Sequence, residues 1–338
     1  MIFYFTLIFF AIGEVAPGKA DIYDFIISTF FIAVFLGIIN GILEVFIFQS
    51  RFQKMKFAHV VIAKTFYFFI AFVITVVLFI LLKNHILYPL GIVDNFQQDE
   101  IVIFFTSSVF YKHGFFTIII SFGINFFIQV NRKMGKGVLF DMFLGRYHLP
   151  NQQDRIIMFL DLSSSTTIAE KLGDHKYSSF IKDFFYDLAE AITETNGAVY
   201  QYIGDGVIII WNVDKGIQNT NCIKCFTLAL ERIQSRKEIY LNKYNFYPKF
   251  KAGIHFGKVV ITEVGGLKSE IAFHGDSMNI ASRLCSACSE HNKKLLISAE
   301  LLSLLSDIDD EYIVDVMGII NLKGKDHAIG ICSVERKN

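Results

Sequence analysis

Long runs of apolar residues dominate the first third of the chain. Residues 25–48 contain one charged side chain, Glu44, and residues 60–82 contain one, Lys64. Each run is longer than the roughly 20 residues that a helix needs to cross a hydrocarbon core of about 30 Å. Both segments are therefore predicted to be membrane-spanning helices.

Two further apolar segments belong to the same part of the chain. Residues 101–130 are interrupted by a Lys-His-Gly sequence, which predicts a short interfacial or buried helix over 101–111 and a span over 114–130. Residues 1–12 lack the basic start of a signal peptide and are interpreted as a partial or complete additional span. The expectation is a transmembrane helical domain over 1–130 with three to four spans.

Basic residues determine the expected orientation of these helices. They follow the span at 25–48 and the last span, and are Arg51, Lys54, Lys56, Arg132, Lys133 and Lys136. The loop at 84–100 carries mainly acidic charges instead. Because cytoplasmic loops are rich in Lys and Arg, both basic segments and everything after residue 131 are expected in the cytoplasm.

After residue 131 the pattern changes to short segments that are typical of a soluble domain. Residues 155–161 form an apolar run of strand length, and residues 175–195 repeat apolar positions at helical spacing. Residues 198–211 and 249–264 are each interpreted as two strands around a tight turn.

The order of these elements predicts the fold class and the domain boundaries. A helix over 277–287 and a short strand over 295–298 continue the alternation. Strands that alternate with helices and also form hairpins indicate an α/β sandwich with an antiparallel component rather than an all-parallel sheet. A connector over 131–153, punctuated by Pro150, precedes a domain over 154–338.

Composition and charge narrow the classes of function. Apolar residues make up 53% of the chain, Phe accounts for 37 residues, and the mean hydropathy is +0.45. The 32 basic residues balance the 32 acidic ones, whereas a nucleic-acid-binding protein would carry a basic excess. The lipid bilayer is therefore an expected partner, and nucleic acid is not.

All five cysteines lie in the second part of the chain, which indicates a reducing compartment. Two Cys-x-x-Cys pairs, Cys222/Cys225 and Cys285/Cys288, raise the alternative of a zinc site. Their wide separation along the chain and their position in predicted helices favour packed, reduced thiols.

Asp161 and Asp205 are the first residues that indicate chemistry. Asp161 ends an apolar strand in FLDLSSST, and Asp205 lies in the turn of YIGDGVI. Each alone is typical of a helix cap or a turn. A central strand beside a hairpin can bring the two carboxylates together, and two hard oxygen ligands at one sheet edge suit two Mg²⁺ ions and a triphosphate.

Two polar segments further along the chain add nucleotide-binding chemistry. Asn279 and Arg283 are four residues apart in GDSMNIASR, so they share one helix face, where an amide and a guanidinium can hold a ribose and a developing phosphoryl charge. The alternative is a polar surface stripe. Lys323 and Lys325 flank a glycine in NLKGK, an arrangement that suits phosphate binding and is also common in short basic turns.

Taken in order, the segments FLDLSSST, IGDG, GDSMNIASR and NLKGK resemble the catalytic domain of class III nucleotidyl cyclases. The resemblance covers roughly residues 154–336, and the membrane half followed by GRYHLP looks like the membrane-anchored bacterial branch of that family. It implies an α+β ferredoxin-like fold with a βαββαβ core. It also implies a multi-pass protein of the cell inner membrane whose catalytic domain is cytoplasmic.

The resemblance further implies a head-to-tail homodimer with composite sites at its interface. Asp161 and Asp205 would hold two Mg²⁺ or Mn²⁺ ions per site, with the backbone carbonyl of Leu162 as a further ligand. The other subunit would supply Asn279 to position the ribose and Arg283 to stabilise the transition state.

The same resemblance implies the reaction. Lys325, or else Lys323, would contact the terminal phosphates of the nucleotide. The 3′-hydroxyl of ATP would attack the α-phosphorus in line, forming cyclic AMP and releasing pyrophosphate.

Members of this family select the nucleotide base with two side chains, and the positions that match are Gln201 and Ala272. A Lys/Asp pair there would imply adenine, and a Glu/Cys pair guanine. Gln201 both donates and accepts hydrogen bonds and Ala272 does neither, so this pair matches neither pattern. ATP is expected from the bacterial membrane-bound branch, and GTP is the alternative.

Other functions are disfavoured by particular features of the sequence. The complete set of Asp161, Asp205, Asn279 and Arg283 argues against an inactive cyclase-like module that only binds nucleotide or dimerises. A diguanylate cyclase should carry GG-acid-EF in its hairpin, where this chain has YIGDGVI. A transporter would need more polar groups within its spans.

Overall fold

The structure of the protein is a computed structural model. It describes residues 56–82, 105–135, 138–306, 308–321 and 328–337, together with the isolated residues 34, 37, 38, 42 and 102. The chain divides into a helical unit, Met1–Met134, and a sheet unit, Gly135–Asn338. Apart from those isolated residues, the predicted spans at 1–12 and 25–48 lie outside the described part of the chain.

Two long apolar helices are described in the helical unit. Helix α1 covers Phe57–Leu82 and helix α2 covers Ser108–Met134. Each is long and apolar enough to cross a membrane, over Phe57–Leu78 in α1 and Phe110–Asn131 in α2. Helix α1 contains the predicted span at 60–82.

The predicted interruption at 112–114 is wrong, because α2 continues through it. A Cβ added at Gly114 would lie 3.3 Å from a ring carbon of Phe69, so the missing side chain lets α1 and α2 approach closely. Further along, the rings of Phe57 and Phe126 meet edge to face with their centroids 5.7 Å apart. The two contacts together define an antiparallel helix pair.

Several polar side chains of both helices are buried. Seven of them are at most 8% exposed, namely Lys64, Thr65, Thr75, Thr117, Ser121, Asn125 and Gln129. The exposed side chains of α2 are largely apolar and include Phe115, Phe122 and Phe127. Polar side chains that face a bundle interior and apolar ones that face outward are the pattern expected of helices surrounded by lipid.

The sheet unit starts with the short helix α3, Val138–Phe143, and contains eight strands among its described residues. The strands are β1 (Asn151–Leu162), β2 (Ala198–Ile203), β3 (Gly206–Asn212), β4 (Phe250–Val264), β5 (Glu270–His274), β6 (Leu295–Ser298), β7 (Tyr312–Asn321) and β8 (Ala328–Arg336). The remaining described helices are α4 (Ser165–Leu172), α5 (Asp174–Glu194), α6 (Val213–Ile217), α7 (Asn221–Ser235), α8 (Lys237–Tyr244), α9 (Asp276–Glu290), α10 (Ala299–Leu302) and α11 (Ile308–Glu311).

The strands form one mixed sheet in the order β2-β3-β1-β4-β6-β8-β7, with β5 paired to β4. Strands β4 and β6 are parallel, and the other pairs are antiparallel. The succession β1, α5, β2, β3, α7, β4 is the predicted βαββαβ core. The α+β ferredoxin-like class is therefore confirmed.

The hairpin predicted within 249–264 is wrong, because this segment is the single strand β4. It pairs with β1 without a break, from Asn151 opposite Ile261 to Leu162 opposite Phe250. The hairpin is instead the one between β4 and β5. The long central strand β1 offers backbone partners along the whole of β4, which keeps β4 extended.

Apolar residues bury one face of the sheet beneath helices α5 and α7. Alternate residues of β1, among them Ile156, Met158 and Leu160, belong to this core. Helix α5 confirms the helix predicted over 175–195, and its buried apolar residues recur at helical spacing, namely Phe180, Phe184, Leu188, Ala191 and Ile192. The single tryptophan, Trp211 of β3, is 1% exposed in the same core.

Helix α9 lies on the opposite face, directly against β4. A Cβ added at Gly253 would lie 2.2 Å from the backbone nitrogen of Cys285 and 2.5 Å from the carbonyl oxygen of Ala281. The helix backbone is therefore in contact with the strand backbone at Gly253, with no side chain between them. This contact determines how closely α9 approaches the sheet.

Replacing Gly253 with alanine is expected to destabilise the sheet unit by an amount at the upper end of about 1–3 kcal/mol, because the new Cβ has only backbone atoms to displace. Denaturant unfolding followed by Trp211 fluorescence measures the change. Gly266 is the matched control, since a Cβ there has nothing within 4 Å. Equal stability of G253A and G266A would contradict the proposed close contact.

Candidate functional site

The structure brings Asp161 and Asp205 together at one end of the sheet. Asp161, near the end of β1, pairs with Gly206 of β3 on one side and with Lys251 of β4 on the other. Gly206 follows Asp205 directly, and a Cβ on Gly206 would lie 3.3 Å from Asp161 Oδ1. The turn that carries Asp205 thus rests against Asp161, and Gly204 in this turn has the left-handed φ of 59° that favours glycine.

The two carboxylates repel each other across a partly buried site. Burial raises the pKa of the Asp161 carboxyl, the negative charge of Asp205 raises it further, and the ammonium group of Lys251 opposes both effects. Two carboxylates held this close favour the uptake of a cation, because a cation removes the repulsion between them.

The donor set fits divalent metal ions that also bind a substrate. Within the residues that the structure describes, no group of three or more His, Cys, Asp or Glu side chains could hold a metal ion. Asp161 and Asp205 are thus two hard oxygen ligands without a closed protein cage. Mg²⁺ is typically bound in this way, through one or two carboxylates and the oxygens of substrate phosphates.

Leu162 follows Asp161 at the end of β1, and its side chain is 2% exposed in the core beneath α5 and α7. The backbone nitrogen of the next residue, Ser163, donates to the carbonyl oxygen of Lys249 at 2.7 Å. The chain is therefore held in place on both sides of the Leu162 carbonyl, the group that the family resemblance implies as a metal ligand.

Asn279 and Arg283 lie on α9, on the side of the helix that is not packed against the sheet. Asn279 is exposed and Arg283 is half-buried, whereas Ser277, Ala281 and Cys285 are buried. The amide and the guanidinium therefore share an accessible helix face, as the four-residue spacing predicts.

Helix α9 runs along β4, and its first turn, which carries Asn279, lies at the end of the contact that is farther from Asp161. The start of α9 contacts β4 at Lys258, where Ser277 Oγ donates to the backbone carbonyl at 2.8 Å. Asp161 pairs with Lys251, which lies seven residues away along the same strand. At about 3.3 Å per residue these two positions are roughly 23 Å apart. Further along the helix, Ala281 and Cys285 contact Gly253, two residues from Lys251, so a later turn of α9 rather than its start lies nearest to the carboxylate pair.

Gln201 and Ala272 lie beside one aromatic contact. Strand β2 carries Gln201 and β5 carries Ala272, and neighbouring residues Tyr200 and Phe273 have ring centroids 4.5 Å apart. The backbone N–H of Phe273 also donates to the Tyr200 hydroxyl at 3.2 Å. This contact joins two strands that are not neighbours in the sheet. A β-bulge between Val199 and Gln201 makes Tyr200 the extra residue on its strand.

Lys323 and Lys325 lie outside the described residues, in the segment between β7 and β8. The strands on either side of this segment pack against α9, where Ile329, Ile331, Met317 and Ile320 form a cluster with Ile280 and Leu284. The two strands that flank the lysines are therefore anchored on the helix that carries Asn279 and Arg283.

Sequence reasoning missed Lys251, the cross-strand neighbour of Asp161. Its ammonium group favours the ionised form of the Asp161 carboxyl, and it donates to Ser289 Oγ at 2.8 Å. Nothing in the local sequence identifies this lysine, because its position depends on the register between β1 and β4.

The cysteines of both Cys-x-x-Cys pairs are free and buried. Burial raises the pKa of Cys222 and of Cys225 to about 12, so both are neutral thiols at physiological pH. Cys288 Sγ contacts the carbonyl oxygen of Ala252 at 3.2 Å. These contacts agree with packed, reduced thiols.

Comparison with known proteins identifies relatives of the sheet unit. The family model for the adenylate and guanylate cyclase catalytic domain matches residues 149–332. Adenylate cyclase 2 of Rhizobium meliloti (strain 1021) is 32% identical over 182 residues, which cover 54% of this chain and 50% of that protein. Adenylate cyclase of Anabaena cylindrica is 27% identical over 53% of this chain and 36% of that protein. The chain thus spans half or less of the length of these curated relatives.

A solved structure is similar in fold. The structure of a bacterial light-regulated adenylyl cyclase matches with a TM-score of 0.54 and 17% sequence identity, covering 71% of this chain and 66% of that chain. This likeness concerns the arrangement of strands and helices alone.

Proposed function

The chain belongs to the adenylate and guanylate cyclase catalytic-domain family, and we propose that it is a membrane-anchored adenylate cyclase. The substrate is ATP, and the products are cyclic AMP and pyrophosphate. The observation that carries the proposal is the pairing of Asp161 and Asp205 at one sheet edge, on a chain whose curated relatives include the two adenylate cyclases described above.

Asp161 and Asp205 hold the metal ions, and the backbone carbonyl of Leu162 adds a ligand. Two Mg²⁺ or Mn²⁺ ions, when bound, activate the 3′-hydroxyl and offset charge on the phosphates. Among the described residues the two carboxylates form no closed cage, so bound ions would leave positions that the nucleotide's own oxygens could fill. Lys251, next to Asp161, adds positive charge where the polyphosphate approaches.

Helix α9 supplies the groups that act on the nucleotide itself. Asn279 orients the ribose through its amide, and Arg283 directs its guanidinium at the charge that develops on the α-phosphate. Lys325, or else Lys323, contacts the terminal phosphates. Ile280 and Leu284 of α9 pack in one cluster with residues of β7 and β8, the two strands that flank these lysines. This packing supports the assignment of the lysines to the same site as Asn279 and Arg283.

Two copies of the chain are needed for each site. Groups that act on one reacting phosphate must lie within a few ångströms of it, and the end of α9 that carries Asn279 is attached to β4 at Lys258, seven residues along the strand from the neighbour of Asp161. A head-to-tail homodimer brings the carboxylates of one subunit to the α9 helix of the other. Exposed apolar residues support such an interface, since Leu267 in the β4–β5 turn and Ile203 beside Asp205 are 108% and 51% exposed.

Gln201 and Ala272 leave GTP as the second candidate substrate. Gln201 is exposed on β2 and Ala272 is half-buried on β5. The Gln201 amide can hydrogen-bond the edge of adenine or of guanine, and the Ala272 methyl group can hydrogen-bond neither. The two side chains therefore do not discriminate between the bases. The preference for ATP rests on the adenylate cyclase relatives.

The membrane anchor consists of α1, α2 and the further apolar segments of the first 130 residues. The basic segments after the spans orient the sheet unit toward the cytoplasm, where ATP is available. We assign the protein to the cell inner membrane as a multi-pass protein, with the lipid bilayer as its partner.

The decisive experiment supplies the purified full-length protein with Mg²⁺ or Mn²⁺ and either ATP or GTP, and identifies the product by mass. Cyclic AMP with release of pyrophosphate is the expected result. Cyclic GMP as the main product would make the protein a guanylate cyclase. Nucleotide binding without either cyclic product would overturn the enzyme proposal in favour of a nucleotide-binding module.

A further inference from the structure

The first turn of α9 is held to β4 by a buried serine. Ser277 Oγ donates to the backbone carbonyl of Lys258 at 2.8 Å, and the residue is 6% exposed. At Gly275, two residues before Ser277, an added Cβ would lie 3.0 Å from the same carbonyl oxygen. The helix therefore begins in direct contact with the backbone of β4.

Ser277 also packs closely against Gly257 and His255 of β4. A Cβ added at Gly257 would lie 2.4 Å from Ser277 Oγ and 2.9 Å from His255 Nε2, so both side chains occupy the space above this glycine. His255 is 5% exposed, and its Nδ1 lies 2.8 Å from the hydroxyl of the fully buried Ser298. The imidazole is thus fixed on its other side, which leaves Ser277 little freedom to move.

Other hydrogen bonds between α9 and β4 lie toward the C-terminal end of the helix, where Lys251 Nζ donates to Ser289 Oγ at 2.8 Å and Cys288 Sγ to the carbonyl oxygen of Ala252 at 3.2 Å. At Gly253 the helix and strand meet through van der Waals contact between backbones. Contacts of that kind limit how closely the helix approaches but resist sliding and rotation weakly, whereas a hydrogen bond has a preferred direction. Ser277 is thus the directional contact at the end of α9 that carries Asn279.

We propose that Ser277 is a positioning residue, which sets the rotation and the longitudinal placement of α9 and so aims Asn279 and Arg283 at the nucleotide. The inference rests on the proposed function for the roles of these two side chains. Asn279 is two residues and Arg283 six residues from Ser277, about 3 Å and 9 Å along the helix. A displacement of about 1 Å in such groups lowers turnover as much as 10²-fold.

The test compares three serine variants of the full-length protein in the cyclase assay. S277A is expected to lower kcat about tenfold or more with KM for ATP changed less than about twofold, because ground-state binding is retained while alignment is lost. S277T keeps the hydroxyl and is expected to recover most of kcat. S286A is the matched control, since the Ser286 hydroxyl bonds only within α9, to the carbonyl of Ser282 at 3.2 Å.

A second readout does not depend on catalysis. Amide hydrogen exchange over residues 276–290 is expected to be faster in S277A than in S286A, because the first turn of α9 loses its attachment to β4. Unchanged exchange in S277A overturns the positioning role whether or not the protein is active. Equal kcat values for S277A and S286A, each normalised to folded protein, overturn it as well. Absence of cyclic product from the wild type, with faster exchange in S277A, would instead count against the proposed function alone.

Discussion

Replacing Asp161 with alanine is expected to reduce cyclic-nucleotide formation to background with either Mg²⁺ or Mn²⁺. With one of two carboxylates removed, the metal ions lose half of the side-chain ligands that the sheet edge offers them. Asp161→Asn, which keeps the shape of the side chain but removes its charge, is expected to fail in the same way. The measurement is turnover of the purified protein across a range of metal concentrations.

The stability of these variants separates a metal ligand from a structural residue. Burial and the charge of Asp205 raise the pKa of Asp161, so ionisation of this carboxyl disfavours the folded state. Stability therefore falls as pH rises from the carboxyl's ordinary pKa through its raised folded-state value, and the penalty is fully present above that value. D161N is expected to unfold at the same temperature as the wild type or at a higher one.

Asp154, at the exposed start of the same strand, is the matched control. D154N removes a carboxylate from β1 without touching the pair at its other end, so turnover is expected to stay at the wild-type level. Wild-type turnover in D161A would remove the central claim about this site. A strong drop in unfolding temperature for D161N would make Asp161 a structural residue.

The pairing of Asp161 with Asp205 could be predicted because both positions follow from local rules. An apolar run that stops at an aspartate marks a strand end, and Gly-Asp-Gly marks a tight turn. Two such features on neighbouring strands meet at one edge of a sheet. The sequence therefore predicts this half of the site without knowledge of the full sheet order.

The glycines show where local rules fail. Gly114, Gly253 and Gly257 look like interruptions in the sequence, but each lies within a continuous helix or strand. Their function is to let another element approach at backbone distance. A glycine looks the same in a sequence whether it permits a turn or a close contact between two elements. Only the element that packs against it distinguishes the two cases.

Lys251 and Ser277 were beyond prediction for a related reason. The position of Lys251 next to Asp161 depends on the register between β1 and β4, and a shift of one residue would move its side chain to the other face of the sheet. The acceptor of the Ser277 hydroxyl is a carbonyl 19 positions away along the chain. Register and tertiary contact are properties of the folded sheet rather than of any sequence motif.

Replacing Arg283 with alanine is expected to lower kcat by about 10²–10³ with little change in nucleotide affinity. A guanidinium aimed at charge that develops on the α-phosphate stabilises the transition state more than bound ATP. Arg283→Lys is expected to recover little activity, because an ammonium group lacks the planar fork that matches phosphate oxygens. A titration of rate against ATP gives kcat and KM separately for each variant.

Co-expression of D161A with R283A tests whether the two halves of the site come from different subunits. Each variant alone has both of its sites damaged. In a mixed dimer one site carries both lesions and the other is intact, so random pairing is expected to restore about a quarter of wild-type activity. No recovery from two well-expressed and correctly folded variants would place Asp161 and Arg283 in the same site of one chain.

The alternative role for Arg283 is an ordinary surface ion pair. The kcat and KM values of the Arg283 variants decide between the two roles. Removal of an exposed pair costs about 0–1 kcal/mol of stability and leaves kcat unchanged. A raised KM with an unchanged kcat would instead assign Arg283 to binding of ground-state ATP. Only a fall in kcat at constant KM, together with recovery in the mixed dimer, agrees with an arginine that acts on the transition state from across the subunit interface.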